Sequence, residues 1–265
     1  MARYISQEIL CEAYTRLNTN LYNTDEARAR LRDQLLPFFE ERARFLLGDE
    51  VQVEIVFETG SLITKLRVVG SAGLIVLPLL TGYAPFKESV SQLTRDVTLL
   101  AESANLEVLF RTNTPYCDRI NIEKRKGVFG RVDDLLSRLD KIGREISSDV
   151  LPNSTRAVEE VEAKVDAIVD WNGKVGELFS KLDSAETKVC VSQGLLDELA
   201  KFPASFGWTQ LLLSAGIRGS SVRSDASLLG KLSGSNTRLK VTLTSIQKDL
   251  KQRMDLAKKE MSGVS

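Results

Sequence analysis

The chain has 265 residues, 43% of them hydrophobic, with 36 Lys and Arg balanced by 36 Asp and Glu. That length allows one large core or two smaller ones, and the charge balance supplies no global field to draw the protein onto nucleic acid or anionic lipid. Histidine is absent, which removes the commonest general base and the commonest zinc ligand, and with them His-based hydrolase triads and zinc sites.

Aromatic residues make up only 6%, too few for a stacking platform for single-stranded nucleic acid. Cys11, Cys117 and Cys190 are far apart, and none forms a CxxC pair. They are expected as free, buried thiols in a reducing compartment. Glu8 and Glu12 interrupt the N-terminal stretch, so no secretory leader is expected there. The expected location is the cytoplasm, with a membrane-associated location as the alternative.

Ile5, Ile9 and Ala13, with Leu10, Tyr14 and Leu17 beside them, have helical spacing, so a helix is expected over residues 4–17. A second helix starts at a cap on Thr24 or Asp25 and runs to about Leu47. Pro37 should kink or split it, and Gly48 should stop it. The period then changes. VQVEIVF and LITKLRVV both alternate around Glu58-Thr59-Gly60-Ser61, which reads as a β-hairpin over about 51–69.

Next comes VVGSAGLIVLPLLTGYAPF, residues 68–86, with no charge between Arg67 and Lys87. As part of a soluble core, Leu74 to Leu77 form a short buried strand or turn that Pro78 stops. As a membrane segment, 19 uncharged residues are just long enough for about 30 Å of hydrocarbon. Its dense part is Leu74, Ile75, Val76, Leu77, Leu79 and Leu80. Pro85 opens a helix whose buried face holds Phe86, Val90, Leu93, Val97 and Leu100.

Pro115, Gly127 and Gly130 punctuate the stretch that follows, and a boundary is placed near 127. Arg119, Lys124, Arg125, Lys126 and Arg131 form a basic cluster. It reads either as a contact for phosphate or an acidic partner, or as a solvated linker.

Beyond it the apolar residues recur in heptads. Val128, Val132, Leu135, Leu139, Ile142 and Ile146 make one stripe. After Pro152-Asn153-Ser154, which offers a cap, Val158, Val161, Val165, Ile168, Asn172, Val175, Leu178, Leu182, Ala185 and Val189 make another. The second reads as a helix of about 35 residues, with Asn172 setting register. Gly173 and Gly176 mark a weak point in it. A further helical stretch ends at Pro203. A Gly- and Ser-rich connector covers 216–238 and matches no P-loop. The last helix starts near Ser235, carries Leu239, Leu243, Ile246 and Leu250, and frays beyond Gln252.

The fold class expected is mainly α with a small α+β N-terminal part. A β-hairpin flanked by helices fills an α+β domain over 1–127, and a long-helix bundle or coiled coil fills 128–265. The function expected is that of a non-enzymatic interaction or assembly protein. It would oligomerise or dock a protein partner through Val132, Leu135, Leu139, Ile142, Val161, Val165, Ile168, Asn172, Leu178 and Leu182. One alternative is a membrane-acting, pore-forming effector that conceals residues 68–86 until triggered. Another is an enzyme with a Lys or carboxylate site among residues such as Glu54, Glu58, Asp96, Asp118 and Asp133, although no pair has diagnostic spacing. No cofactor and no metal site is expected, and nucleic acid is the weakest partner class.

Overall fold

The computed structural model describes residues 8–58, 62–81, 85–148, 157–209 and 226–263. The protein is mainly α-helical with a small four-stranded antiparallel sheet near its N-terminus. It divides into two compact units. One comprises the described residues within Met1–Asp133 together with Leu182–Cys190, and the other those within Asp134–Lys181 and Val191–Ser265. The turn residues 59–61, the cap at 152–154, residues 4–7 and residues 216–225 of the Gly- and Ser-rich connector lie outside the described residues.

In the first unit, strands β1 (Glu8–Leu17), β2 (Gln52–Glu58), β3 (Leu62–Gly70) and β4 (Arg119–Lys126) form a sheet of order β2-β3-β1-β4. The expected hairpin is β2 and β3, with Ile55 opposite Leu66 and Val53 opposite Val68. The helix expected over 4–17 is instead β1, a strand paired on both sides. Its apolar side chains Cys11, Ala13 and Leu17 line the buried face, while Glu12, Tyr14 and Arg16 alternate onto the other. A bulge between Ile9 and Cys11 offsets this alternation.

Helices α1 (Asp25–Leu47) and α3 (Phe86–Thr112) cover the buried face of the sheet. Thr24 caps α1 by accepting from Ala27 N at 3.3 Å. Gly48 ends the helix at φ 88°, a left-handed backbone that glycine adopts without strain. Pro37 does not split α1, because Leu35 and Phe39 on either side of it are both buried and hold the helix to the core. The expected inner face of α3, from Phe86 to Leu100, is buried as read. A chain of polar contacts seats α3 on the sheet: Thr15 Oγ1 donates to Asn105 Oδ1 at 2.6 Å, and Asn105 Nδ2 donates to the Glu123 carbonyl at 2.9 Å.

Two further readings change. Residues expected as a strand or turn near Leu74 form helix α2 (Ala72–Thr81), with Pro78 inside it. The stretch that read as a solvated linker contains β4, the edge strand beside β1.

The second unit is helical. It takes most of α4 (Val128–Ile146), all of α5 (Ala157–Phe179), the later part of α6 (Ala185–Lys201), and α7 (Ala226–Ser262). The second stripe is not one helix of 35 residues: α5 ends at Phe179 and α6 begins at Ala185. Ser184 caps α6, its Oγ accepting from Thr187 N at 3.0 Å, which starts a new helix in place of continuing the old one. The last helix starts nine residues before Ser235, because Leu232 and Ser235 are buried and packing overrides the poor propensity of Gly230 and Gly234. It also continues past Gln252 to Ser262, with Ala257 still buried.

Within this unit α5 packs along α7, and Arg238 of α7 binds Glu162 and, at 2.6 Å, Asp166 of α5. Trp171 is fully buried and donates from Nε1 to the Leu135 carbonyl at 2.9 Å. Phe206 stacks on Trp208 with centroids 5.1 Å apart. Gly207 N donates to the Ile146 carbonyl at 2.9 Å, satisfying an acceptor at the end of α4.

Candidate functional site

The heptad residues do not form an open stripe. Val132, Leu135, Leu139, Ile142, Val161, Val165, Ile168, Leu178 and Leu182 are all buried in the chain's own core. Their apolar surface is consumed within the chain, so a partner must meet a different surface. Asn172 is half-buried, and its Oδ1 has no hydrogen-bond partner; the inward position beside it is taken by Trp171.

The basic cluster is spread over β4 and α4. Arg125 is committed to Glu12 at 2.7 Å and to Glu123 at 2.6 Å, and its guanidinium lies 4.3 Å from the Tyr14 ring centroid. Those contacts raise the Arg125 pKa and lower that of Glu123, whose largest cause is the hydrogen bond from Arg125. Lys124 pairs with Glu102 of α3 at 3.2 Å. Arg119 stands over Tyr116, while Lys126 and Arg131 are exposed. Register explains much of this pattern. Glu54, Arg67, Glu12 and Arg125 stand opposite one another in a row across all four strands, with signs alternating. Arg67 Nε donates to Glu12 at 2.6 Å within that row.

Of the apolar segment, Leu74 is exposed, Ile75 half-buried and Val76 buried, and the side chains of Leu77, Leu79 and Leu80 lie outside the described set. As a helix of 10 residues, α2 is about 15 Å long, half the thickness of a hydrocarbon core. Among the described residues, no helix is long and apolar enough to cross a membrane.

The residues that do converge were invisible as a group in the sequence. A groove of about 540 Å³ opens between the end of α1, the start of α2 and the first turns of α3. Leu46, Leu47, Leu74, Ile75 and Leu93 give it apolar walls. Glu50, Glu88 and Asp96 line it with three carboxylates, and among the described residues no Lys or Arg lines it. Ser89 also lines it, a buried side chain whose hydroxyl has no partner among the described residues. Phe45, one residue before the groove, is 87% exposed. The periodicity of α3 foretold its inner face, and nothing in the sequence announced that α2 would cross the ends of α1 and α3.

Below that groove α2 is anchored by a buried carboxylate. Glu8 accepts from Ala72 N at 3.1 Å, from Thr187 Oγ1 at 2.6 Å and from Ser184 N at 3.3 Å. The first turns of α2 and α6 thus share one anion, which suits the positive end of each helix dipole. Burial raises the Glu8 pKa, against the hydrogen bonds that lower it. Thr187 Oγ1 also accepts from Gly73 N at 2.8 Å. A buried carboxylate with a shifted pKa is a candidate acid or base. Here its partners Ala72, Ser184 and Thr187 are structural donors, and it lines neither the groove nor the small cavity beside Cys11 and Phe39. Glu8 is therefore an anchor.

Glu54, Glu58, Asp96, Asp118 and Asp133 do not gather. Glu58 pairs with Lys65, and Asp96 alone lines the groove. Among the described residues, no three His, Cys, Asp or Glu side chains gather as a metal cluster. No protein-family model, no curated protein and no solved structure matches this chain.

Proposed function

We propose that the protein is a non-enzymatic interaction protein that docks a partner through the α1–α2–α3 groove. The observation that supports this reading is the groove itself, with apolar walls, three carboxylates and, among the described residues, no basic side chain. Its volume lies in the range of ordinary ligand pockets. Its chemistry fits a basic amphipathic helix, whose apolar anchors enter the groove while its Lys or Arg side chains meet Glu50, Glu88 and Asp96. Electrostatic complementarity of this kind sets orientation and specificity more than raw affinity. The three cysteines are free thiols, which supports a reducing, cytoplasmic setting.

The test is binding of a fluorescent amphipathic peptide of Leu and Lys, followed by anisotropy on the full chain. A sequence-matched Leu and Glu peptide and vesicles of anionic lipid serve as comparisons. The expected result is binding of the Lys peptide alone, lost on Leu74→Arg and weakened about tenfold by Asp96→Lys. Equal binding of both peptides, or an unchanged affinity in Leu74→Arg, overturns the groove as the docking site. Vesicle binding with dye leakage moves the reading to membrane action.

A further inference from the structure

We propose that β4 accepts an extended acidic and apolar segment of another protein as a fifth strand of the sheet. The order β2-β3-β1-β4 leaves β4 at an edge, and among the described residues it pairs only with β1. An edge strand presents a row of backbone donors and acceptors to any chain that can lie beside it.

The side chains along this edge favour that use. Ile122 stands opposite Thr15, whose hydroxyl points to Asn105 of α3, so Ile122 lies on the helix side of the sheet. The pairs Lys124–Glu102 and Glu123–Asn105 run α3 and β4 in opposite directions. Four helical residues advance about 6 Å and two strand residues about 6.6 Å. The ridge Glu102, Leu106, Phe110 therefore keeps step with Lys124, Ile122 and the bulged Ile120. Leu106 is 60% exposed, Phe110 74%, Ile122 40% and Ile120 51%. An apolar strip thus flanks an open backbone edge, and a fifth strand would cover both together.

The charge on the strand selects the occupant. On β4, Lys124 is answered by Glu102 and Arg125 by Glu12 and Glu123, so the exposed Arg119 and Lys126, one at each end of the strand, carry the charge that a new strand would meet. Two copies of β4 paired along their whole length set Arg119 against Lys126 at each end, and like charges directly opposed are destabilising. A strand with apolar residues at its centre and acidic residues at its ends meets no such penalty. On the helix side, where Lys126 stands opposite Cys11 and Arg119 opposite Leu17, it sets its apolar residues over Leu106 and Phe110 and a carboxylate beside each of these two basic ends.

The test uses the full chain and two short synthetic peptides with the same Val-rich centre, one with Glu and one with Lys at both ends. Hydrogen exchange is followed residue by residue, with affinity from titration. The expected result is slowed exchange at β4 amides with the Val and Glu peptide, and an affinity at least about tenfold tighter than for its Lys counterpart. Phe110→Ala and Lys126→Glu, both at exposed positions, are each expected to weaken binding about tenfold without moving the melting temperature. Unchanged exchange at β4, or equal binding of the two peptides, overturns the proposal. So does protection of β4 that grows with protein concentration in a sedimenting dimer, or that a single-stranded oligonucleotide produces equally well. Protection confined to α1, α2 and α3 supports the groove reading and overturns this one.

Discussion

The hydroxyl of Thr187 donates to the carboxylate of Glu8 at 2.6 Å, across 179 positions of the chain. The same carboxylate holds the first turn of α2 through Ala72 N and that of α6 through Ser184 N. One side chain at the start of β1 therefore positions one wall of the α1–α2–α3 groove.

Glu8→Gln keeps an acceptor for Ala72 and Thr187 but turns an amide donor toward Ser184 N. Two donors then meet in a buried site, at a cost of about 1–3 kcal/mol. Glu8 also links stability to pH. Burial raises its folded pKa above the ordinary value of 4.5, so protons favour the folded state. That contribution is fully present below the unfolded value and is lost as pH rises through the raised folded value. Urea midpoints measured from pH 4 to pH 8 are expected to show the wild type losing part of its advantage over Glu8→Gln as pH rises, then levelling. A pH-independent difference would refute this assignment.

Gly73 and Gly173 make a matched pair. A Cβ on Gly73 would stand 2.5 Å from the Glu186 carbonyl carbon and 2.6 Å from Thr187 N, both backbone atoms. Gly73→Ala is expected to cost about 1–3 kcal/mol, as overpacking does. Gly173 lies inside α5 with nothing within 4 Å of a new Cβ. There alanine is expected to stabilise by about 1 kcal/mol through helix propensity. Chemical denaturation of both variants checks the opposite signs.

Both tryptophans of the chain, Trp171 and Trp208, are buried, and both belong to the second unit. Intrinsic fluorescence therefore reports on that unit. Trp171→Phe removes the donor to the Leu135 carbonyl and leaves a void, with an expected loss of about 2–4 kcal/mol. The fluorescence-detected denaturation of the variant, followed through Trp208, measures it.

Thiol labelling should separate the cysteines sharply. Cys117 is exposed, whereas Cys11 and Cys190 are buried. Burial pushes the Cys11 thiol up to about 12 and that of Cys190 up to about 11, keeping both protonated and unreactive. One thiol is expected to react promptly in the folded protein and the other two only on unfolding. Mass spectrometry of a timed alkylation counts them, and prompt reaction at Cys11 would contradict the burial of β1.

Elements with a clean period were legible in the sequence. The hairpin β2–β3 alternates, α3 carries one apolar face, and the stripe on α4 turns inward as heptads do. Three others were not, each because tertiary context overrode a local signal. β1 carries Glu12 on one face and Ala13 on the other, and Glu12 is buried by its arginine partners rather than by apolarity. β4 reads as a wet basic run because its charges are answered from β1 and α3, far away in the chain. The start of α7 is rich in Gly and Ser yet helical because Leu232 and Ser235 are held in the core. The groove was hidden for a related reason. Its walls come from three helices, and only the crossing of α2 over the ends of the other two brings them together.

The first unit is discontinuous in the chain: Leu182–Cys190 belongs to it, although the stretch between Asp133 and Leu182 belongs to the other unit. During synthesis the sheet and its covering helices emerge first, while Ser184 and Thr187 follow several seconds later at about 5–20 residues per second. Until then the Glu8 carboxylate lacks its donors at Asp183, Ser184 and Thr187, and Gly73 lacks the helix start that it packs against. The nascent first unit is thus an open form that closes only after most of the intervening helices have emerged. A ribosome stalled before that point would display an unlatched α2, a substrate for chaperones that the finished protein no longer offers.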